Sequence, residues 1–135
     1  MSLDQALQKA VSNIPECVAA GFIDLASGML LSVKTVDSHP HEVMDLLAAA
    51  TADLFQGNNV TTIEQIFKKA RGIPASDNHH YFQEIIVNSD NLLHIFLRGK
   101  ANEALVACFV CRRSTNLGMA LTKARTAMPE LESSV

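Results

Sequence analysis

The sequence predicts one α/β domain of the α+β kind: a five-stranded antiparallel sheet with helices on both faces, in the order α-β-β-α-β-β-β-α. Three observations predict it. Apolar runs at 81–88, 92–98 and 104–111 are parted only by Ser89-Asp90-Asn91 and by a turn from Gly99 to Glu103, the pattern of a strand meander. Two earlier apolar runs, 17–24 and 29–36, flank Ala26-Ser27-Gly28 and read as a hairpin. Between hairpin and meander lies a helical pattern apolar over more than half its circumference, which calls for partners on two sides.

Taken in order, Ser2 and Gln5 form a capping box, each side chain satisfying a free backbone donor at a helix start. Leu3, Leu7, Ala10, Val11 and Ile14 follow at helical spacing, and Pro15 stops the helix. The hairpin strands lack clean alternation, which predicts cover on both sheet faces. Asp37 or Ser38 is expected to cap the next helix, with Pro40 opening it. On that helix Val43, Leu47, Ala50 and Leu54 form one stripe, expected to meet the sheet. Met44, Ala48, Ala52 and Phe55 form a second stripe about 100° away, expected to meet another partner. After Gly57-Asn58-Asn59, residues 61–70 predict an extra helix with Ile63, Ile66, Phe67 and Ala70 aligned; the chain either kinks at Gly57 or extends the second stripe. Residues 71–80 read as a loop. The final helix carries Leu117, Ala120, Leu121, Ala124 and Met128 on one face and is expected to end at Pro129. This gives a single domain at 1–129 and a frayed tail at 130–135.

A chain of 135 residues buries enough surface to fold without staples. With 5% aromatic residues, no Trp and a net charge of −3, it offers neither a stacking platform nor a phosphate-tracking face, so no nucleic-acid partner is expected. Lys68, Lys69 and Arg71, and Arg112-Arg113, read as solvated faces. No apolar run approaches a membrane span, and no basic region followed by an apolar stretch marks a signal peptide. Three cysteines without framework spacing predict free thiols and a cytoplasmic location.

Candidate chemistry is sparse. Cys108 and Cys111 have a CxxC spacing, but i and i+3 on a strand point to opposite faces, so buried structural thiols are expected; Cys17 reads as a core residue. A thiol hydrolase using one of them would need an exposed thiolate near a His. His39, His41, His79, His80 and His94 show no i, i+4 metal pairing, and only a His79/His80 site between chains is worth testing. Gly118 near a helix start reads as close helix packing rather than an anion site. No phosphate loop, triad or metal motif stands out, so no cofactor and no catalysis are expected.

With these residues placed, the chain resembles the roadblock/LC7 family over residues 14–128. Ile14-Pro15 before an apolar strand, Asp24, and Gly28 before a second strand are similar to its opening hairpin. Residues 46–54 match its Ala-rich second helix. Residues 92–99, then 105–110, then Asn116-Leu117-Gly118 are similar to its C-terminal half. The longer stretch around Gly57-Asn58-Asn59 and 63–70, and the loop through Pro74, depart from the pattern. The resemblance implies a roadblock/profilin-like order and a homodimer in which second helices and third strands meet their own copies. It also implies a non-catalytic regulator or scaffold for a Ras-like small GTPase. The interface so implied comprises Met44, Ala48, Ala52, Phe55, Phe82, Glu84 and Ile86. The alternatives are a small-molecule-sensing α/β domain, signalled by an apolar cavity between sheet and helix, and a light-chain-type subunit of a larger complex.

Overall fold

A computed structural model describes residues 2–36, 41–74 and 80–135, with backbone alone at 41–46. The elements are α1 (Leu3–Asn13), β1 (Cys17–Asp24), β2 (Met29–Thr35), α2 (His41–Gln56), α3 (Asn58–Ala70), β3 (Glu84–Asn88), β4 (Leu92–Arg98), β5 (Leu105–Arg112) and α4 (Leu117–Ser133). The strands form one antiparallel sheet in the order β2-β1-β5-β4-β3. The expected fold class and the extra helix are therefore present. The capping of α2 expected from Asp37, Ser38 and Pro40 lies outside the described residues, as does Met44's side chain.

Local chemistry explains the element ends. Ser2 Oγ accepts from the Gln5 N–H and Gln5 Oε1 accepts from the Ser2 N–H, closing the capping box. Pro15 disfavours helical backbone at Ile14, and α1 ends at Asn13. Gly28 turns the hairpin at φ 71°, a conformation costly for residues with a Cβ.

The sheet carries a core on each face. Leu7, Ala10, Phe22, Ile95, Phe109, Ala124 and Leu131 pack together under α1 and α4. Ile23, Ala48, Phe55, Phe96, Val106 and Cys108 pack under α2. As expected, Cys108 and Cys111 sit on opposite faces of β5, and both are fully buried.

Several expectations need correction. β3 begins at Glu84; residues 81–83 approach it without strand pairing. Helices α1 and α2 both reach β2, but at this margin of the sheet the cover is incomplete and Met29 and Leu31 are exposed. Gly118 is exposed, and a Cβ there would meet only Asn116 Oδ1 at 3.4 Å, so close helix packing does not account for it. Lys68 is buried rather than solvated.

α4 does not stop at Pro129. A proline inside a helix costs about 3 kcal/mol, but here the continuation is anchored. Leu131 is fully buried, worth roughly 1.5–3 kcal/mol. The Glu132 carboxylate accepts the N–H groups of Lys100, Ala101 and Asn102 at 3.0, 2.8 and 3.0 Å, which latches the last turn of α4 onto the β4–β5 turn. Together these outweigh the proline.

Candidate interaction surface

Toward its C-terminal end α2 faces the other way from the sequence expectation, although Leu47 packs on the sheet-side core as expected. Ala48 and Phe55, expected to face a partner, are buried at 1% and 0% exposure against the sheet, and Ala52 packs partly on the same cluster. Small side chains at Ala48 and Thr51 let the helix lie close to the strands. Thr51 is itself fully buried, with its hydroxyl donating to Leu47 O at 2.7 Å. Phe55 then meets Phe96 edge-on at 6.4 Å. Ala50 and Leu54, expected on the sheet side, are exposed. Ala48 and Phe55 thus have no surface to offer a second chain.

The break at Gly57 has a steric cause. A Cβ at Gly57 would lie 2.6 Å from Asp53 O, so only glycine allows α3 to start so close to the end of α2. The helix α3 is turned inside out. Its polar Glu64 and Lys68 are buried, whereas Ile63, Ile66 and Phe67 are exposed at 38%, 59% and 46%. Glu64 holds the inward side by accepting the Tyr81 N–H at 2.8 Å and lying 3.4 Å from His80 Nδ1. Phe67 contacts Tyr81 edge-on at 5.5 Å, which ties α3 to the segment leading into β3. An open groove of about 470 Å³ runs along α3, lined by Thr61, Thr62, Gln65, Ile66 and Lys69.

Beyond that segment lies the edge strand β3. Arg98 N–H donates to Gln83 O at 2.8 Å. By the alternation of an antiparallel ladder, the N–H and C=O of Glu84, Ile86 and Asn88 then point away from β4. Ile86 and Val87 are exposed at 40% and 38%. Phe82 is half-buried beside the α2-side core. Glu84 is held within the chain, its carboxylate accepting from Arg125 Nε and Nη2 at 2.7 and 2.6 Å. Arg125 keeps the Glu84 carboxyl below the ordinary carboxylate range.

The arginines divide by position. Arg98 is buried: Nη2 donates to Phe55 O at 3.0 Å near the C-terminal end of α2, and the guanidinium lies over the Phe55 ring at 5.1 Å. It fastens α2 to the sheet and is not available to reach another molecule. Arg112 and Arg113 are exposed beyond β5.

Among the described residues no cluster of three or more potential ligands could hold a metal, and no helix is long and apolar enough to cross a membrane. His79 lies outside them. His94 is half-buried and stacked on Phe96, and desolvation pushes its pKa down. Burial pushes the Cys108 thiol up to about 12, which unsuits it for nucleophilic work.

No family model and no curated protein sequence matches the chain. Solved structures do. A roadblock/LC7 domain from Streptomyces avermitilis superposes with a TM-score of 0.68 at 14% identity, over 98% of this chain and 97% of that one. The chain has the roadblock/LC7 fold. The gliding protein MglB of Thermus thermophilus aligns with a TM-score of 0.69 at 20% identity, over 98% of this chain and 87% of that one. MglC from Myxococcus xanthus aligns at 0.59 and 14%, over the full length of both. At these identities the likeness is one of fold. Within the roadblock/LC7 architecture, the surface that sequence reasoning left undecided is the outward side of α3. The aligned Ile63, Ile66 and Phe67 were its signal, but periodicity alone did not give the direction they face.

Proposed function

We propose that this chain is a non-catalytic, homodimeric regulatory or scaffold module for a Ras-like small GTPase. The observation that carries the reading is the inverted helix α3, with exposed Ile63, Ile66 and Phe67, tied through Tyr81 to the approach to the open β3 edge. An apolar helix face and an unpaired strand edge are aggregation liabilities when left open. A second copy covers both if a two-fold axis passes near Ile86, pairing β3 with itself. The proposed interface is then Leu54, Ile63, Ile66, Phe67, Ile86 and Val87, with Phe82 and Glu84 kept beside the β3 edge, in place of the α2 stripe of Met44, Ala48, Ala52 and Phe55. Interfaces of this kind commonly bury ~1,200 Å² or more in total.

The GTPase partner rests on the family resemblance, supported by the fold. Burial takes Arg98 out of any role as an inserted arginine, and the mechanism in this reading is to position the partner's own switch residues. The dimeric state is tested by sedimentation at micromolar concentration; a wild-type monomer refutes it. The partner is tested by binding of purified Ras-like GTPases in each nucleotide state, with GTP turnover measured with and without this protein. Nucleotide-dependent binding supports the reading. Binding in neither state, with a small molecule co-purifying instead, replaces it with the ligand-sensing alternative.

A further inference from the structure

Cys17 and Cys111 are direct cross-strand partners at the end of the β1–β5 ladder. Sequence spacing does not reveal the pair, because it depends on an irregularity. The register shifts between Cys17 and Ala19, so that Cys17 pairs with Cys111 while Ala19 already pairs with Val110. This extra residue brings Cys17 onto the face that also holds Ala20, Phe22 and Cys111. Opposed residues of an antiparallel ladder have Cα atoms about 4.5–5.5 Å apart, within the roughly 4.4–6.8 Å that a disulfide spans. Both side chains are buried on one face, and Cys17 alone retains some surface, at 7%.

We propose that Cys17 and Cys111 form a cross-strand redox site that a hydroperoxide converts into an intrachain disulfide. The Cys17 thiol donates to Ala19 O at 3.3 Å. The neighbouring Cys17 thiol favours the Cys111 thiolate, against the opposing effects of burial and Glu16, while Cys111 and burial push Cys17 up. The hydroperoxide enters beside Cys17, at the end of the ladder, and the Cys111 thiolate attacks one of its oxygens. The O–O bond breaks, the departing oxygen takes a proton from solvent and leaves as water or an alcohol, and Cys111 becomes a sulfenic acid. The Cys17 sulfur then attacks the Cys111 sulfur. The S–S bond forms, the S–O bond breaks, and a second water leaves with the Cys17 proton. Two electrons pass from the sulfurs to the hydroperoxide, and a dithiol reverses the step. Cys108, on the opposite face of β5, is the internal control.

The test treats the folded protein with hydrogen peroxide at neutral pH and maps its peptides without reduction. The expected product joins the Cys17 and Cys111 peptides within one chain, has lost two hydrogen atoms, and reverts with dithiothreitol while Cys108 stays free. Cys17→Ala and Cys111→Ala each abolish it, and Cys108→Ala does not. Oxygen adducts without a crosslink, no reaction at all, a bond between chains, or a crosslink through Cys108 overturns the proposal. The wild-type map decides the matter even if an alanine variant fails to fold.

Discussion

Replacing Ile66 and Ala48 separately distinguishes the two faces of the second helical region. Ile66 is 59% exposed in the single chain. Fully burying an Ile side chain is worth ~1.5–3 kcal/mol, so covering that fraction in a dimer contributes about 1 kcal/mol per chain. Two-fold symmetry doubles this to about 2 kcal/mol, and Ile66→Ala should weaken dimerisation roughly 30-fold. The monomer fold should be little affected, since the residue has few inward contacts to lose. Ala48 is 1% exposed against the sheet. Ala48→Glu places an unpaired carboxylate there and should cost about 3–5 kcal/mol of folding stability, a large share of a typical ~5–15 kcal/mol. Sedimentation equilibrium across a dilution series measures the first effect. Urea unfolding at fixed protein concentration measures the second, since dimer stability varies with concentration. A well-folded Ala48→Glu monomer beside an unaltered Ile66→Ala dimer would refute the reversed assignment of faces.

Three further outcomes are expected. Arg98→Ala removes a buried charged hydrogen bond to Phe55 O and should lower stability by about 1.5–3 kcal/mol in urea unfolding, while Arg98→Lys at equal stability should leave any effect on GTP turnover unchanged. Gly57→Ala forces a Cβ against Asp53 O and should cost about 1–3 kcal/mol, read as a lower thermal midpoint. Glu84 has a depressed folded pKa, so its pairing stabilises the fold above the ordinary carboxylate pKa and is lost as pH falls through the folded value; Arg125→Ala should return the Glu84 carboxyl titration, followed by NMR, toward its ordinary range.

The sequence made most of the architecture legible because periodicity is a local property. The capping box, the Gly28 turn, the meander and both helix patterns appear where spacing placed them. What it could not convey was long-range. On α2 two apolar stripes lie about 100° apart, and nothing in the helix itself says which meets the sheet. That choice follows from Phe55 meeting Phe96 and Arg98, residues distant in the chain. The bulge that brings Cys17 opposite Cys111 is likewise a relation between two strands. At Pro129 the local rule was outweighed by Leu131 and Glu132, whose partners lie elsewhere. For α3, periodicity showed an apolar stripe but did not decide between a kink at Gly57 and an extension of the partner-facing stripe.

The sheet order also constrains how the chain is made. β1 is buried along nearly all its length, yet its second neighbour is β5, most of the chain away in sequence. While the protein emerges from the ribosome, α1 and then α2 can cover the faces of the opening hairpin, but the inner edge of β1 stays unpaired until β5 has followed. Closing the central β1–β5 pair is a contact of long sequence separation, which slows folding and prolongs the exposure of β1 to other chains. The sheet is therefore completed from its middle, and late, with the last third of the chain supplying the strand on which the first third depends.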